Sequence, residues 1–200
     1  MNKEYWESRY LENKEKGKVG LMDWKSDDIL QEEKEIFNII SAFYKEKKVE
    51  CGTILDYGCG IGSKIKYIYE TFKPLKYIGI DFSDVAIIEA KKRRPDFDFR
   101  TGTVNLYDKA NIIFMAYVVQ HMEDRDIINT LKLLSDNLEI SGKIYIISNT
   151  TDAPDKPYIK FRNVEEHRML FKMAGYDSWH VDSGHVYNET VSFFLLWRKP

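Results

Sequence analysis

From residue 52 onward, two apolar patterns alternate along the chain. Short runs are apolar on both faces: TILDY (53–57), LKYIGID (75–81), FDFRT (97–101), NIIFMAYV (111–118) and KIYIIS (143–148). Such runs predict strands buried on both sides, as in a parallel sheet covered by helices. Between them apolar residues recur every three or four positions, the period of an amphipathic helix. One helix is expected to bury Ile61, Ile65, Ile68 and Phe72 and to stop before Pro74. Another should run from Ser83 to about Arg94, closed by Pro95. A third, from Asp124 to Leu138, carries Ile127, Leu131, Leu134 and Leu138 on one face, and a fourth spans about Asn163 to Ala174. Two last strands, around WHVD (179–182) and VSFFLLW (191–197), are close enough in sequence to pair antiparallel at an edge. Upstream, Ile36, Ile40 and Phe43 predict a helix from Ser26 to Lys48, and residues 1–25 mix aromatic and charged side chains. The pattern is α/β, with strand–helix alternation and a mostly parallel sheet of seven strands. No repeat or linker interrupts it, so one domain is expected over residues 1–200: a cap segment and helix over 1–49, and a core over 50–200.

The stretch ILDYGCGIG (54–62) holds Gly58, Gly60 and Gly62 directly after a predicted strand. A dinucleotide fingerprint needs G-x-G-x-x-G, whereas the spacing here is G-x-G-x-G with Ser63 in the last place. A phosphate loop would end in G-K-S or G-K-T, and Lys64 instead follows Ser63. Neither polyphosphate pattern fits. Two acids accompany the loop: Asp56 on the strand itself and Asp81 at the end of the next strand. An acid in the second position can accept both hydroxyls of a ribose. The alternative for Asp81 is a surface residue capping the helix at Ser83.

Taken in order, ILDYGCGIG, YIGIDF (77–82), VVQHMED (118–124) and LEISGKIYI (138–146) resemble the motifs of class I S-adenosylmethionine-dependent methyltransferases. The resemblance covers about residues 50–198. It implies a Rossmann-like methyltransferase fold with an antiparallel C-terminal strand pair, and S-adenosylmethionine as cofactor with S-adenosylhomocysteine as product. It also accounts for the missing phosphate chemistry, because the glycine loop then lies under the methionine and ribose parts of the cofactor. By position it implies that Gly58, Gly60 and Gly62 allow close backbone approach, and that Asp56 faces the methionyl amine. Asp81 would hold the ribose, with Phe82 beside the adenine. Thr103 and Val104 stand where the family commonly has an acid for the adenine amino group, and Ala116 and Tyr117 end the fourth strand beside the cofactor. YWESRY (5–10) resembles the lid segments of small-molecule members. There Trp6 would close over the cofactor together with Tyr5 and Tyr10, and Arg9 would meet the methionyl carboxylate through its fork of donors. An amphipathic helix docked on the core is the other reading of this segment.

Methyl transfer from a sulfonium needs a positioned nucleophile and, for a hydroxyl, a group to take its proton. His121 follows the fourth strand at the carboxyl end of the sheet, where ligands collect, and is the candidate base. The alternative is that it packs under the cofactor and bonds a backbone carbonyl. His180 and His185 are expected at the edge strands and His167 on a solvated helix face. YIKFR (158–162) is either an anion contact or a charged approach to the next helix.

Composition narrows the partners. Hydrophobic residues make up 44% and charged residues 31%, and the formal net charge is −2, so no basic stripe for nucleic acid is expected. The longest apolar run, IIFMAYVV (112–119), is too short to span a bilayer, and the start of the chain lacks a signal-peptide core. With Cys51 and Cys59 unsuited to a zinc site, reduced thiols and a cytoplasmic setting are expected, with no metal. The text after the fourth strand lacks the [N/D]-P-P-[Y/F] of base-amino methyltransferases, a Pro-Cys nucleophile and clustered metal ligands. A small polar acceptor methylated at oxygen or nitrogen, by a monomer or homodimer, is the expectation. The alternatives are an RNA or protein methyltransferase working with a partner subunit, and a non-catalytic cofactor-binding subunit.

Overall fold

The two-sided apolar runs form the sheet. The structure, a computed structural model, describes residues 3–16, 37, 38, 41, 52–102, 109–151, 155, 158–186 and 189–198, the side chains of 12–16 and 181–189 excepted. Strands β1 (Thr53–Tyr57), β2 (Lys76–Asp81), β3 (Asp98–Thr101), β4 (Ala110–Ala116) and β5 (Leu138–Thr150) pair in parallel. The hairpin of β6 (Tyr176–Val186) and β7 (Glu189–Arg198) joins β5 antiparallel, giving the order β3-β2-β1-β4-β5-β7-β6. The chain runs outward one way from β1 to β3 and the other way from β4 onward. The order therefore reverses between β1 and β4, and the crevice at their carboxyl ends is where this topology holds ligands.

Helices cover both faces. On one side α2 (Ile65–Phe72) and α3 (Asp84–Arg93) bury Ile65, Ile68, Phe72, Ile87 and Ala90 against Ile54, Phe114 and Phe193. On the other, α4 (Asp124–Ser135) and α5 (Val164–Met173) bury Ile127, Leu131, Leu134, Leu170 and Phe171 against Leu55, Ile113, Ile146 and Phe194. Local chemistry sets the helix ends. Ser83 caps α3 by accepting from the Ala86 amide, and Asn163 and Glu166 form a capping box on α5. Helix α1 (Lys3–Lys16) packs against α3, with Lys3 Nζ donating to Asp84 Oδ2 at 2.7 Å.

The structure departs from expectation at the end of the third core helix, at the end of β4 and at His167. The expected helix to Leu138 stops at Ser135, and Leu138 instead opens β5, pairing with Ala110. The register then skips, so that Ile112 pairs with Lys143 and Ile140 projects fully into solvent. β5 is consequently longer at both ends than KIYIIS. β4 ends at Ala116, because Tyr117 takes a left-handed φ of 58° that turns the chain. The expected helix from Ser26 to Lys48 falls outside the described residues except Phe37, Asn38 and Ser41, which are helical. Finally, His167 is not on a solvated face. It is fully buried, with Nδ1 2.9 Å from the Asn163 carbonyl oxygen, Nε2 3.2 Å from Ser148 Oγ, and its ring stacked on Phe194.

Burial pushes the His167 pKa down to about 4, with the positive Arg162 adding to the effect against the Asn163 carbonyl. A depressed histidine leaves the fold unaffected above the unfolded-state value near 6.5 and erodes it as pH falls from there toward 4. The resulting loss should approach roughly 3 kcal/mol, at about 1.4 kcal/mol per pKa unit. We expect wild type to lose that much more stability than His167→Phe between pH 7 and pH 4 in urea unfolding. Parallel pH dependences of the two proteins would refute it.

Candidate functional site

The glycine loop joins β1 to α2 at the switch point. Gly58, Gly60 and Gly62 have φ of 76°, 54° and 74°, a region that side-chain-bearing residues rarely adopt. A Cβ on Gly58 would lie 2.4 Å from Val118, and one on Gly60 would lie 2.9 Å from Tyr10 Oη. The loop is therefore pinned below by the segment after β4 and covered above by α1.

Four of its amides are spent within the protein. Gly58 N and Cys59 N donate to the Ile80 carbonyl at 2.7 and 3.1 Å, and Gly62 N to the Cys59 carbonyl at 3.0 Å. Gly60 N donates to Asp81 Oδ2 at 2.9 Å, while Asp81 Oδ1 accepts from Ser83 N at 2.9 Å. A phosphate-cradling loop needs such amides turned toward the ligand. These four are not, so they offer a phosphate no donors, in keeping with a spacing that fits neither polyphosphate pattern.

Two buried carboxylates flank the loop. Asp56, on β1, accepts from the Tyr77 hydroxyl at 2.6 Å. Burial pushes its pKa up to about 7, the Tyr77 hydroxyl and Lys64 pull it back, and Asp81 adds to the rise. Asp81 is also raised by burial, with the amides of Ser83, Gly60 and Phe82 opposing. Burial favours the neutral form of both acids, and a cation facing them would favour their charged forms. Both signals fit a nucleoside ligand carrying a positive charge: glycines allowing backbone approach and acids able to meet a cation or ribose hydroxyls.

Helix α1 closes the other side with one aromatic face. Tyr10 reaches the loop, where burial and then Asp81 hold its phenol above the usual range. Trp6 meets the His121 ring edge-on at 4.6 Å, and Tyr5 stacks on Tyr158 at 3.7 Å. Arg9 Nη1 donates to the Tyr5 hydroxyl at 2.5 Å, with the guanidinium over the Tyr5 and Trp6 rings. His121 ends a short 3-10 turn (Val119–His121). Its Nδ1 lies 2.7 Å from the Tyr158 carbonyl oxygen, which accepts only from Nδ1–H, so Nε2 carries the lone pair. Burial pushes the His121 pKa down to about 4, Arg9 adds to this, and the Tyr158 carbonyl opposes.

The structure thus gathers Trp6, Arg9, Asp56, the three glycines, Asp81 and His121 at the carboxyl end of the sheet. Phe82 and Ala116 are half-buried at the ends of β2 and β4. Tyr117 lies under Lys64, with Nζ 5.6 Å from its ring centroid. Thr103 and Val104 lie outside the described residues, as does the side chain of His185. His180 sits on edge strand β6, bonded to Arg168. Arg162, in the segment read as an anion contact or a charged helix approach, is turned inward and buried. Sequence reasoning missed Tyr77 and Tyr158 as site residues. A tyrosine at the start of a strand pattern shows the burial of its ring, not the carboxylate that its hydroxyl meets.

Fold and site together define a doubly wound α/β protein with a glycine loop and two buried acids at its switch point. A family model for a methyltransferase domain matches residues 15–194. The chain belongs to this family, the class I S-adenosylmethionine-dependent methyltransferases. It is 26% identical over 143 residues to the probable scoulerine-9-O-methyltransferase OMT2B of Papaver somniferum, a match covering 62% of this chain and 40% of that relative. The chain thus spans about two fifths of the length of the curated relative it matches. Its fold is similar to magnesium protoporphyrin IX methyltransferase of Synechocystis PCC 6803 with bound S-adenosylhomocysteine, at TM-score 0.73 and 13% identity, covering 98% of each chain. It is also similar to an S-adenosylmethionine-dependent methyltransferase of Clostridium acetobutylicum ATCC 824, at TM-score 0.68 and 13% identity, covering 83% of this chain and 92% of that one.

Gly60→Ala combines a left-handed backbone with a contact to Tyr10. We expect it to lower stability by roughly 1–2 kcal/mol. Adding Tyr10→Phe should restore only the contact part, in a double-mutant cycle by thermal unfolding. A stability equal to wild type would show that the loop has freedom this geometry denies.

Proposed function

We propose that this chain transfers the methyl group of S-adenosylmethionine to an oxygen or nitrogen of a small polar acceptor. The observation that carries the reading is the pair of buried carboxylates, Asp56 and Asp81, flanking a glycine loop whose amides are already satisfied. When bound, the cofactor supplies a methyl group on a sulfonium that is already activated for displacement. Asp81 keeps lone pairs for ribose hydroxyls, Asp56 offers a carboxylate to the methionyl amine, and Phe82, Ala116 and Tyr117 border the nucleoside. Thr103 and Val104 take the adenine edge by their place in the family pattern. Trp6 and Arg9 close over the site from α1 and exclude water, with Arg9 assigned to the carboxylate.

His121 is assigned to the acceptor. Its Nε2 has no hydrogen-bond partner among the described residues and, with Nδ1–H held by Tyr158, it accepts a hydrogen bond at neutral pH. A histidine this weakly basic does not ionise an alcohol beforehand. It orients the acceptor's O–H or N–H and takes the proton as the new bond to carbon forms. The similarity to an O-methyltransferase supports oxygen, and the small-molecule name of that relative supports a small acceptor. We further propose a single domain over residues 1–200, acting as a monomer or homodimer in the cytoplasm without nucleic acid or metal. Among the described residues, no helix is long and apolar enough to cross a membrane.

Calorimetry should give micromolar binding of S-adenosylmethionine or S-adenosylhomocysteine and no heat with NAD. Asp81→Ala should weaken binding by at least about 1.5 kcal/mol, because ribose hydroxyls lose a charged acceptor. The reverse preference, for NAD, would end the reading.

The raised pKa of Asp56 makes this binding pH-dependent. A cationic ligand favours the carboxylate, so binding releases a proton wherever free Asp56 is protonated. Affinity should rise up to about tenfold per pH unit toward pH 7 and level off above it, and Asp56→Asn should flatten the rise. A wild-type affinity constant between pH 5 and 8 would remove Asp56 from the ligand.

For the transfer step, acceptors can be screened by S-adenosylhomocysteine release. His121→Ala should then lower kcat by about 10²–10⁴-fold with cofactor affinity nearly intact. Wild-type kcat should hold from pH 8 down to about 5, since His121 protonates only near 4. A full kcat in the variant at saturation would take His121 out of the chemistry.

A further inference from the structure

The 3-10 turn carrying His121 is three residues long and leaves its last carbonyls without helical partners. Residues 158–162 supply partners to the Gln120 and Met122 carbonyls, and a second, longer contact to the Val119 carbonyl, which already accepts from Met122 N at 3.1 Å. Lys160 N donates to the Gln120 carbonyl at 2.7 Å. Arg162 Nη2 donates to the Met122 carbonyl at 2.7 Å and Nη1 to the Val119 carbonyl at 3.4 Å. The same guanidinium reaches back to the Lys160 carbonyl at 3.4 Å, and its Nε and Nη2 meet Asp124 Oδ1 at 2.9 and 2.7 Å. Behind it, the Arg162 carbonyl accepts from Thr151 N at 3.2 Å, tying the segment to the end of β5.

Arg162 is 5% exposed, whereas the Asp124 side chain is mostly in solvent. A cation this buried is costly unless its donors are satisfied, and most of those here go to backbone carbonyls. An ion pair alone would not require burial. The carbonyls belong to the two short segments that carry His121 and Tyr158. Those residues meet each other through Nδ1 and the Tyr158 carbonyl, and meet α1 through Trp6 and Tyr5.

We propose that Arg162 is a positioning residue for the transfer step. Its guanidinium locks the turn bearing His121 to the segment bearing Tyr158, and so fixes the ring orientation and tautomer of His121. The inference rests on the reading of His121 as the group that meets the acceptor. Arg162 itself touches neither acceptor nor cofactor. A lysine would keep the charge but cannot span carbonyls on both segments, because its donors radiate from one point.

The test reads the histidine directly and needs no acceptor. Protein labelled with ¹⁵N in histidine is compared in two-bond ¹H–¹⁵N spectra as wild type and as Arg162→Lys. Calorimetry with S-adenosylhomocysteine confirms a folded cofactor site. Wild-type His121 should show the single tautomer protonated at Nδ1. The variant should show averaged ring shifts, with the tautomer protonated at Nε2 populated, and should bind S-adenosylhomocysteine as wild type does. An unchanged His121 spectrum in folded Arg162→Lys overturns the proposal. Should Arg162→Lys fail to fold, Asp124→Asn decides instead. It leaves the carbonyl bonds but removes the charge that anchors the guanidinium, so partial averaging is expected, and an unchanged spectrum refutes the clamp. The kinetics of His121→Ala test the underlying reading separately. A full rate there with an averaged tautomer in Arg162→Lys would leave the clamp standing and deny His121 its role.

Discussion

The carboxylate of Asp81 holds the working end of this protein together. One oxygen takes the amide of Gly60 in the loop after β1, and the other takes the amide of Ser83, which caps α3. A single side chain at the end of β2 thereby fixes the glycine loop and the start of the next helix. This also explains why the capping and ribose readings of Asp81 are not exclusive. The two carboxylate oxygens have four lone pairs, and the amides of Gly60, Ser83 and Phe82 do not use them all. Losing the carboxylate would strand two amides before any ligand is considered.

Charge follows from that arrangement. Four loop amides are turned inward and acids stand at the ends of β1 and β2, so this part of the crevice favours positive charge over phosphate. Asp56 shows the consequence. Burial raises it to about 7, and the Tyr77 hydroxyl only partly compensates. Burial thus favours the neutral form of Asp56, and a cation beside it would favour the carboxylate. Methyl donation from a sulfonium suits such a site, because the donor carries its own positive charge and needs no phosphate anchor.

The parallel sheet and its helices were legible because two-sided burial and helical spacing are local patterns that the fold does not override. The glycine loop and Asp81 were legible for the same reason: spacing within a strand–loop–helix unit determines what the loop can hold. Errors arose where local pattern and tertiary demand diverged. Leu138 continues the helical spacing of α4, yet it lies across from Ala110 and is recruited into β5. His167 looked solvated beside Glu165, Glu166 and Arg168. Its spacing to Leu170 and Phe171 is that of one helix face, and the burial of both residues takes the histidine inside with them. The burial of Arg162 is not legible in YIKFR, an anion contact or a charged helix approach by its sequence, because nothing in those five residues reveals the Val119 and Met122 carbonyls that it meets.

The two halves of the site are built differently, and the difference explains which half the sequence discloses. The cofactor side comes from β1, β2 and the loop between β1 and α2, a contiguous stretch with strong spacing rules. The proposed acceptor side, around His121, is assembled from three distant segments: Tyr5 and Trp6 on α1, which also covers the cofactor loop, His121 after β4, and Tyr158 after β5. No spacing rule connects these residues. Their contacts depend on a left-handed Tyr158, with φ of 66°, and on a short turn whose carbonyls are satisfied from another segment. Substitutions near His121 or Tyr158 can therefore reshape the proposed acceptor side without touching the glycine loop, whereas α1 contacts both. A chain built this way announces its methyl donor in sequence and reveals the geometry of its acceptor site only once folded.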